Sequence, residues 1–330
     1  MATTLGGAVP VERARVSGTP AITFGTRISY GSGAIANGIK NAAFTTYLLF
    51  FYSQIIGVPA GIVSAAVALT LLVDAVADPL IGRWSDLTRS RWGRRHPFIY
   101  GSALPTALFF LLAWFPPAGL TDFQMGVWIF ATASLTRMSI SAFEIATSAM
   151  TPEMTDDYRE RTRLFSLRWW FGYAGTYGFT TLCLLTFFAA TPEYPRGQLN
   201  PDGYPGFAIA GALTIFMVIL ICGIGTHNRI PHLRQADAPT QRMSLLGHLR
   251  EMGAALKNRA FLAIFGFGVL KFSAIGLYSA TNLFFGTYLF ELTATQLAIL
   301  TIDSLVAATI AAPISRRWPS SDIRCVGASA

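Results

Sequence analysis

Charged side chains are scarce in this chain of 330 residues, at 13% of the total. Ordinary soluble domains carry about a quarter. With 52% hydrophobic residues and a mean hydropathy of +0.47, the composition excludes that class. The three cysteines, two of them in apolar stretches, exclude a disulfide framework. None of the four histidines has a cysteine or carboxylate at metal-ligand spacing, so no metal site is expected.

Signatures of targeting and catalysis are also missing. The first thirty residues lack the apolar core and cleavage-like site of a signal peptide, so we expect a short retained tail there. The chain contains no nucleotide-binding loop, nucleophile triad or glycine-rich phosphate cradle. These absences argue against an enzyme or an ATP-driven pump, and no cofactor is expected.

Long apolar runs are the dominant feature of the sequence. A membrane-spanning helix needs about 20 predominantly apolar residues. Runs of that kind recur along the whole chain and predict an all-α polytopic membrane protein. The eight predicted spans lie near 31–57, 60–84, 97–115, 122–150, 168–190, 205–226, 260–287 and 294–314.

The basic residues follow a topological pattern. Of the 25 Lys and Arg, 21 lie in or beside the connections on one side of the predicted spans. The opposite loops hold only Arg196, and Lys40, Arg137 and Lys271 fall inside spans. By the positive-inside rule the N-terminus is cytoplasmic and the protein resides in the plasma or bacterial inner membrane. The net charge of +8 is therefore topological, and nucleic acid is not expected as a partner.

The longest basic connection divides the chain into three parts. Residues 1–226 hold six spans, 227–258 form a cytoplasmic linker, and 259–330 hold two spans and a tail. Apolar residues in the linker recur at spacings of three and four, which predicts an amphipathic helix on the membrane surface. A solvated connector is the alternative.

Polar residues inside the spans share one depth. Counted along their helices at 1.5 Å per residue, five charged residues lie within roughly 12 Å of one another along the membrane normal. We expect these residues, together with a polar stripe on the first span, to face one midplane cavity. The alternative is that some of them, such as Arg137 with Glu144, form buried ion pairs that only hold helices together. The charged residues are Lys40, Asp74, Asp78, Arg137 and Glu144, and the stripe includes Asn37 and Asn41.

The balance of charge in this set favours ion binding. Three carboxylates face two cations, and Asp74 and Asp78 are one helical turn apart. Like charges ~6 Å apart at an effective dielectric of ~20 repel by roughly 3 kcal/mol. The cluster should therefore take up a proton or small cation. A cation site midway through a membrane, reachable from alternate sides, is the core of a symporter.

Three segments carry a family resemblance. DPLIGRWSDLTRSRWGRRHP at 78–97, TPEMTDDYRERTRLFSLR at 151–168 and ISYGSGAI at 28–35 resemble the glycoside-pentoside-hexuronide cation symporters, the melibiose-permease-like branch of the major facilitator superfamily. The resemblance implies a major-facilitator-like fold and proton- or sodium-coupled symport of a sugar or glycoside. A non-transporting membrane protein or sensor and an exporter of another small organic solute are the alternatives.

The resemblance also implies roles for individual residues. Asp74 and Asp78 match the cation-coordinating carboxylates of the second helix, and Glu144 stands where an acid serves both cation and sugar. Arg168 falls close to a sugar-site arginine. The expected substrate-binding residues are Lys40, Arg137, Glu144, Arg168, Asn37 and Asn41. Lys40 has no counterpart in the pattern; it can pair with Asp74 or Asp78, or contact an anionic substrate such as a uronate.

Two positions depart from the family's pattern. Ala77 replaces an amide that helps coordinate sodium, which favours a proton as the coupling ion. Gly38 replaces an aspartate that binds the galactoside, which puts that sugar in doubt. Trp169, near a span end, is expected in the interfacial aromatic belt instead of on a sugar.

The basic loop after the second span has a mechanical interpretation. Gly82 and Gly93 permit tight backbone, and Asp86 can pair with Arg91 or Arg94. The resemblance implies that such a loop forms a latch between two helical halves.

The number of spans differs from the family's. A transporter of this kind has twelve helices, whereas this sequence accommodates eight. The resemblance therefore implies a six-helix N-terminal bundle followed by two helices of a second bundle. We expect a truncated or frameshifted product; a natural short form is the alternative.

Overall fold

The computed structural model describes residues 21–233 and 258–317, which are helical with short connections. Helices lie in all eight predicted spans, and the all-α fold is confirmed. The predicted amphipathic linker helix and both tails lie outside the described residues. The helices are α1 (Phe24–Ser32, Ala34–Ala42, Ala43–Tyr47, Leu48–Phe50 and Phe51–Ile55 in succession), α2 (Ala60–Leu87), α3 (His96–Leu112), α4 (Asp122–Met154), α5 (Tyr158–Tyr173, Ala174–Gly178 and Phe179–Thr186), α6 (Gly203–Thr226, continued by His227–His232), α7 (Arg259–Phe284, continued by Phe285–Leu289) and α8 (Ala294–Arg317).

The helix starts have local causes. Thr121 and Gln124 form a capping box in which each side chain receives the other's backbone N–H, and α4 begins there. The side chain of Asp157 accepts from the backbone N–H of Arg159 and starts α5. The helix thus begins ten residues before the predicted span, because hydropathy detects only the apolar part and misses the polar turns that precede it.

Helices α1 and α5 contain wide π turns. These lie at Ala43–Tyr47 and Phe51–Ile55 in α1, and at Ala174–Gly178 in α5. A π turn inserts extra residues into the helix and turns the following side chains to a new direction, often at functional sites. The turn in α5 includes Thr176, which lines the cavity described below.

The first six helices share one core. Helix α4 packs against α2 and α3, α6 packs against α3 and α1, and α5 lies along α1. Aromatic rings fill the centre, where Tyr47, Trp114 and Phe188 surround Phe207. Helix α8 packs on α5, and α7 contacts the outer half of α1.

Glycines let α1 and α5 approach closely. A Cβ atom on Gly175 would lie 2.7 Å from the Cα atom of Ile35. One on Gly38 would overlap the carbonyl oxygen of Gly172. The two backbones are therefore in direct contact, as small residues permit in membrane helices.

The outer surface of several helices suits a lipid environment. Ala60–Leu87, Gly203–His232 and Phe261–Leu289 are long and apolar enough to cross a membrane, and His96–Leu112 is a shorter apolar helix. The most apolar stretch of Phe261–Leu289 is unburied among the described residues. Large apolar side chains such as Phe267 point outward from it.

Candidate functional site

Asp74 on α2 pairs with Arg137 on α4. The guanidinium donates from both Nε and Nη2 to Asp74 Oδ2. The other oxygen, Oδ1, is buried and accepts no hydrogen bond from a described residue. One carboxylate of the predicted cation pair is thus neutralised but keeps a free acceptor.

Glu144 on α4 pairs with Arg168 on α5. Arg168 Nη2 donates to Glu144 Oε2 at 2.6 Å, and Nη1 donates to Ser148 Oγ at 2.7 Å. Glu144 Oε1 is buried and has no partner among the described residues. The alternative that Arg137 pairs with Glu144 is wrong, because each has a different partner on another helix.

Lys40 and Asp78 are not engaged in such pairs. Lys40 Nζ donates to Asn41 Oδ1 at 2.8 Å, and Asp78 is exposed without an ion pair to any described residue. The Lys40 ammonium nevertheless interacts electrostatically with Arg137 and all three carboxylates. Inclusion of Arg168 makes three cations for three carboxylates, so the excess negative charge inferred from the sequence is not present.

A cavity of about 290 Å³ lies between α1, α4 and α5. It brings together four of the six predicted substrate residues, Asn37, Asn41, Glu144 and Arg168. The other two, Lys40 and Arg137, and the carboxylates Asp74 and Asp78 are not among its lining residues. Glu144 is therefore the one predicted cation residue that reaches this cavity. The lining consists of Ala34, Asn37, Gly38, Asn41, Glu144, Ser148, Phe165, Arg168, Trp169, Gly172, Tyr173 and Thr176.

Sequence reasoning missed the aromatic wall of this cavity. Phe165, Trp169 and Tyr173 recur at spacings of four, with Arg168 and Thr176 on the same face of α5. That helical periodicity was the available signal. Trp169 was expected in the interfacial belt, but it lines the cavity.

The basic loop between α2 and α3 has different ion pairs from those predicted. Asp86 pairs with Arg95 and not with Arg91 or Arg94, and its Oδ1 lies 2.7 Å from Arg95 Nη2. Arg91 instead lies over the ring of Trp92, with its guanidinium carbon 5.1 Å from the centroid. The predicted pairing of Asp86 is therefore wrong.

Glu153 organises this loop and was not predicted. It accepts from Arg94 at 2.8 Å and from Arg95 at 3.0 Å. Arg95, buried at 5% exposure, also donates to Ser85 Oγ at 2.9 Å. The network joins α2, α3 and α4, so within the described residues it is not a latch to α7 or α8.

The two glycines predicted to permit tight backbone, Gly82 and Gly93, differ in whether their backbone conformation requires glycine. Gly93 has a φ of +72°, a conformation that side chains disfavour. Gly82 lies in regular helix, and a Cβ there would meet Ile145 Cγ2 at an ordinary 3.7 Å. The expectation of tight backbone therefore holds at Gly93 and is wrong at Gly82.

The relatives described here, found by comparison with known proteins, are named as symporters or transporters. The chain is 26% identical over 295 residues to the inner membrane symporter YicJ of Escherichia coli, covering 88% of this chain and 60% of that protein. It is 35% identical over 185 residues to the uncharacterized symporter sll1374 of Synechocystis, covering 54% and 34% respectively. It is 29% identical over 199 residues to the isoprimeverose transporter of Lactiplantibacillus pentosus, covering 60% and 40%.

The chain spans about a third to three fifths of the length of these relatives. A family model described as MFS/sugar transport protein matches residues 29–327, which is most of the chain. This family is one of multi-pass membrane transport proteins and not of enzymes. The chain belongs to the MFS/sugar transport protein family.

Proposed function

We propose that this protein is a secondary active transporter that couples the movement of a sugar or glycoside into the cell to that of a proton or sodium ion. The observation that carries the proposal is the cavity between α1, α4 and α5. In it an ion pair, two amides and aromatic rings meet beside the set of intramembrane charges.

The cavity chemistry suits a polyhydroxylated ring. Sugar hydroxyls both donate and accept hydrogen bonds, and Asn37 and Asn41 offer both functions. Glu144, which lines the cavity beside Arg168, adds a carboxylate acceptor to its wall. The rings of Trp169 and Tyr173 can cover the apolar faces of a sugar. A volume of about 290 Å³ is just below the roughly 300–1,000 Å³ typical of ligand pockets, so we infer a small sugar or glycoside.

The cation is assigned to the carboxylates Asp74, Asp78 and Glu144. Asp78 has no ion pair with a described residue, and Asp74 and Glu144 each keep one buried oxygen without a partner. Carboxylate oxygens bind either a proton or sodium. Glu144 also lines the sugar cavity, so binding of the cation and of the sugar would be coupled through one side chain.

The orientation follows from the basic ends of the helices. Arg27 pairs with Glu160 where α1 and α5 begin, and Arg94 pairs with Glu153 where α3 begins and α4 ends. Arg229, in the final turns of α6, donates to Met154 O. We infer that this arginine-rich end and the N-terminus are cytoplasmic.

The three-part organisation remains our proposal for the domains. Residues 1–226 would form the six-helix bundle, 227–258 the linker and 259–330 a second unit that contains α7 and α8. The basic loop would then hold the cytoplasmic ends of α2, α3 and α4 in fixed relation during gating. The residues assigned to this role are Asp86, Arg91, Gly93 and Arg94, together with Arg95 and Glu153. Gly82 lies in regular helix with room for a Cβ atom, so tight backbone is not the reason for a glycine there.

Transport by protein reconstituted in sealed vesicles tests the proposal. Radiolabelled pentoses, hexoses, disaccharides and uronates are offered under an imposed proton or sodium gradient. We expect accumulation of at least one sugar, and its loss in Glu144→Gln but not in the control Glu193→Gln, which alters an exposed loop carboxylate.

The experiment distinguishes three outcomes that would contradict parts of the proposal. No accumulation of any sugar under either gradient contradicts symport. Gradient-driven extrusion of a solute would establish an exporter instead. Accumulation that survives Glu144→Gln contradicts the assignment of the cavity while leaving symport intact.

A further inference from the structure

Tyr30 on α1 is a buried tyrosine that contacts Arg168. Its side chain is 1% exposed. The hydroxyl oxygen lies 3.1 Å from Thr147 O and 3.4 Å from Arg168 Nη1, and it also contacts Thr151 Oγ1. One hydroxyl thus joins α1, α4 and α5 immediately behind the ion pair of the cavity.

The hydrogen-bond directions at this hydroxyl are determined by its neighbours. The carbonyl of Thr147 can only accept, so Tyr30 donates its single proton there. A guanidinium can only donate, so Tyr30 accepts from Arg168. The Thr151 hydroxyl, which can donate or accept, supplies the third contact. Every hydrogen-bonding position of the hydroxyl is used.

The surrounding packing keeps Tyr30 in place. A Cβ atom on the next residue, Gly31, would lie 2.7 Å from Phe171 Cδ2 on α5. Helices α1 and α5 are therefore in close contact at this level. The tyrosine ring has little freedom to leave the guanidinium, whereas Ser148, the other partner of Nη1, is exposed.

We propose that Tyr30 is a positioning residue for the substrate site: its hydroxyl holds the Arg168 guanidinium in its ion pair with Glu144 Oε2 at the wall of the cavity. Tyr30 makes no contact with the substrate itself. It acts through Arg168 and so orients the Glu144 carboxylate that lines the cavity. The effect on substrate rests on the proposed function, whereas the effect on Arg168 does not.

A sugar-independent experiment tests the contact with Arg168. The 330-residue chain in detergent is treated with phenylglyoxal, which modifies arginine, and mass spectrometry follows Arg168 with Arg137 as the internal reference. We expect Tyr30→Phe to speed modification of Arg168 by about fivefold, as for the loss of one modest hydrogen bond, with Arg137 unchanged.

Tyr52→Phe is the matched control. Tyr52 is another buried tyrosine of α1, and its hydroxyl donates to Ala113 O at 2.7 Å, away from the cavity. An unchanged Arg168 rate in Tyr30→Phe, or an equal rise in Tyr52→Phe, overturns the proposal. If Tyr30→Phe does not fold, Thr151→Val decides by the same readout: a faster Arg168 rate supports the proposal and an unchanged rate overturns it.

Transport adds the second readout. For any sugar that the vesicles accumulate, Tyr30→Phe should raise KM by about fivefold with a smaller change in maximal rate, since the hydroxyl orients the binding groups. An unchanged KM overturns the effect on substrate. If no sugar is transported, the proposed function fails, and the labelling result still decides the role of Tyr30.

Discussion

Gly38 on α1 lies against the backbone of Gly172 on α5, so closely that a Cβ atom on Gly38 would overlap the carbonyl oxygen of Gly172. Thr176 Oγ1 lies within hydrogen-bond distance of both carbonyls, 3.2 Å from Gly38 O and 3.0 Å from Gly172 O. Gly38 is where the resemblance implies a galactoside-binding aspartate. Close packing therefore gives a physical reason for the glycine, and any side chain there would separate the two helices that form the cavity.

Gly38→Ala should destabilise the protein by about 1–3 kcal/mol, the usual cost of overpacking. The matched control is Gly101→Ala on α3, where a new Cβ meets nothing within 4 Å, and a gain of about 0.5–1 kcal/mol is expected. Apparent melting temperatures in detergent would measure both. Equal stability of the two variants would contradict the close contact.

Asp78→Asn should abolish accumulation against a gradient while sugar exchange without a gradient persists, because Asp78, unlike Asp74 and Glu144, forms no ion pair with a described residue. Asp202→Asn, in an exposed outer loop, is the control and should accumulate normally. The measurement compares uphill uptake with counterflow in vesicles. Normal accumulation by Asp78→Asn would show that another group carries the ion.

Ala77→Asn should increase the stimulation of uptake by sodium. The substitution adds an amide oxygen beside Asp78, and hard cations prefer oxygen ligands. Ala77 is 7% exposed and lines an apolar cleft with Val73 and Met138, so some loss of stability is expected as well. Uptake is measured across sodium concentrations at constant pH.

Ala75→Asn provides the comparison for that experiment, since Ala75 is exposed on the same helix. Its sodium response should equal that of the parent. If Ala77→Asn also gives the parent's response, the amide at this position does not determine the choice of cation.

Glu153→Gln should lower stability by about 3 kcal/mol, because it leaves the buried Arg95 with less compensating charge. Glu193→Gln, a change of the same chemistry in an exposed loop, should have little effect. Thermal unfolding in detergent separates the two. An unchanged melting temperature for Glu153→Gln would mean that the exposed Asp86 alone compensates Arg95.

Much of the charged set was identified from residue depth alone, but the partners were not. Arg137 was placed with Glu144 as one alternative, and Asp86 with Arg91 or Arg94; the structure pairs Arg137 with Asp74 and Asp86 with Arg95. Depth along a helix follows from counting residues. Partner choice depends on how far each helix is rotated about its axis, which sequence spacing within one helix does not determine.

Trp169 illustrates the same limit on α5. The sequence predicts it near the start of a span, yet the helix begins eleven residues earlier, at Tyr158, and the Trp169 side chain lines the cavity. Whether such a residue meets lipid or a cavity depends on which neighbour covers that face. Here the close approach of Gly38 and Gly175 brings α1 onto α5 and forms the wall.

The sequence by itself determined the all-α membrane fold, the approximate helix positions and the identity of the intramembrane charges. Hydropathy is a local property, and a helix satisfies its own backbone hydrogen bonds wherever it lies in the bilayer. Only the tertiary structure decided that Arg168 completes the charge balance, that Tyr30 lies behind it and that Glu144 alone among the predicted cation carboxylates reaches the cavity. Those outcomes depend on interhelical contacts between residues far apart in the chain.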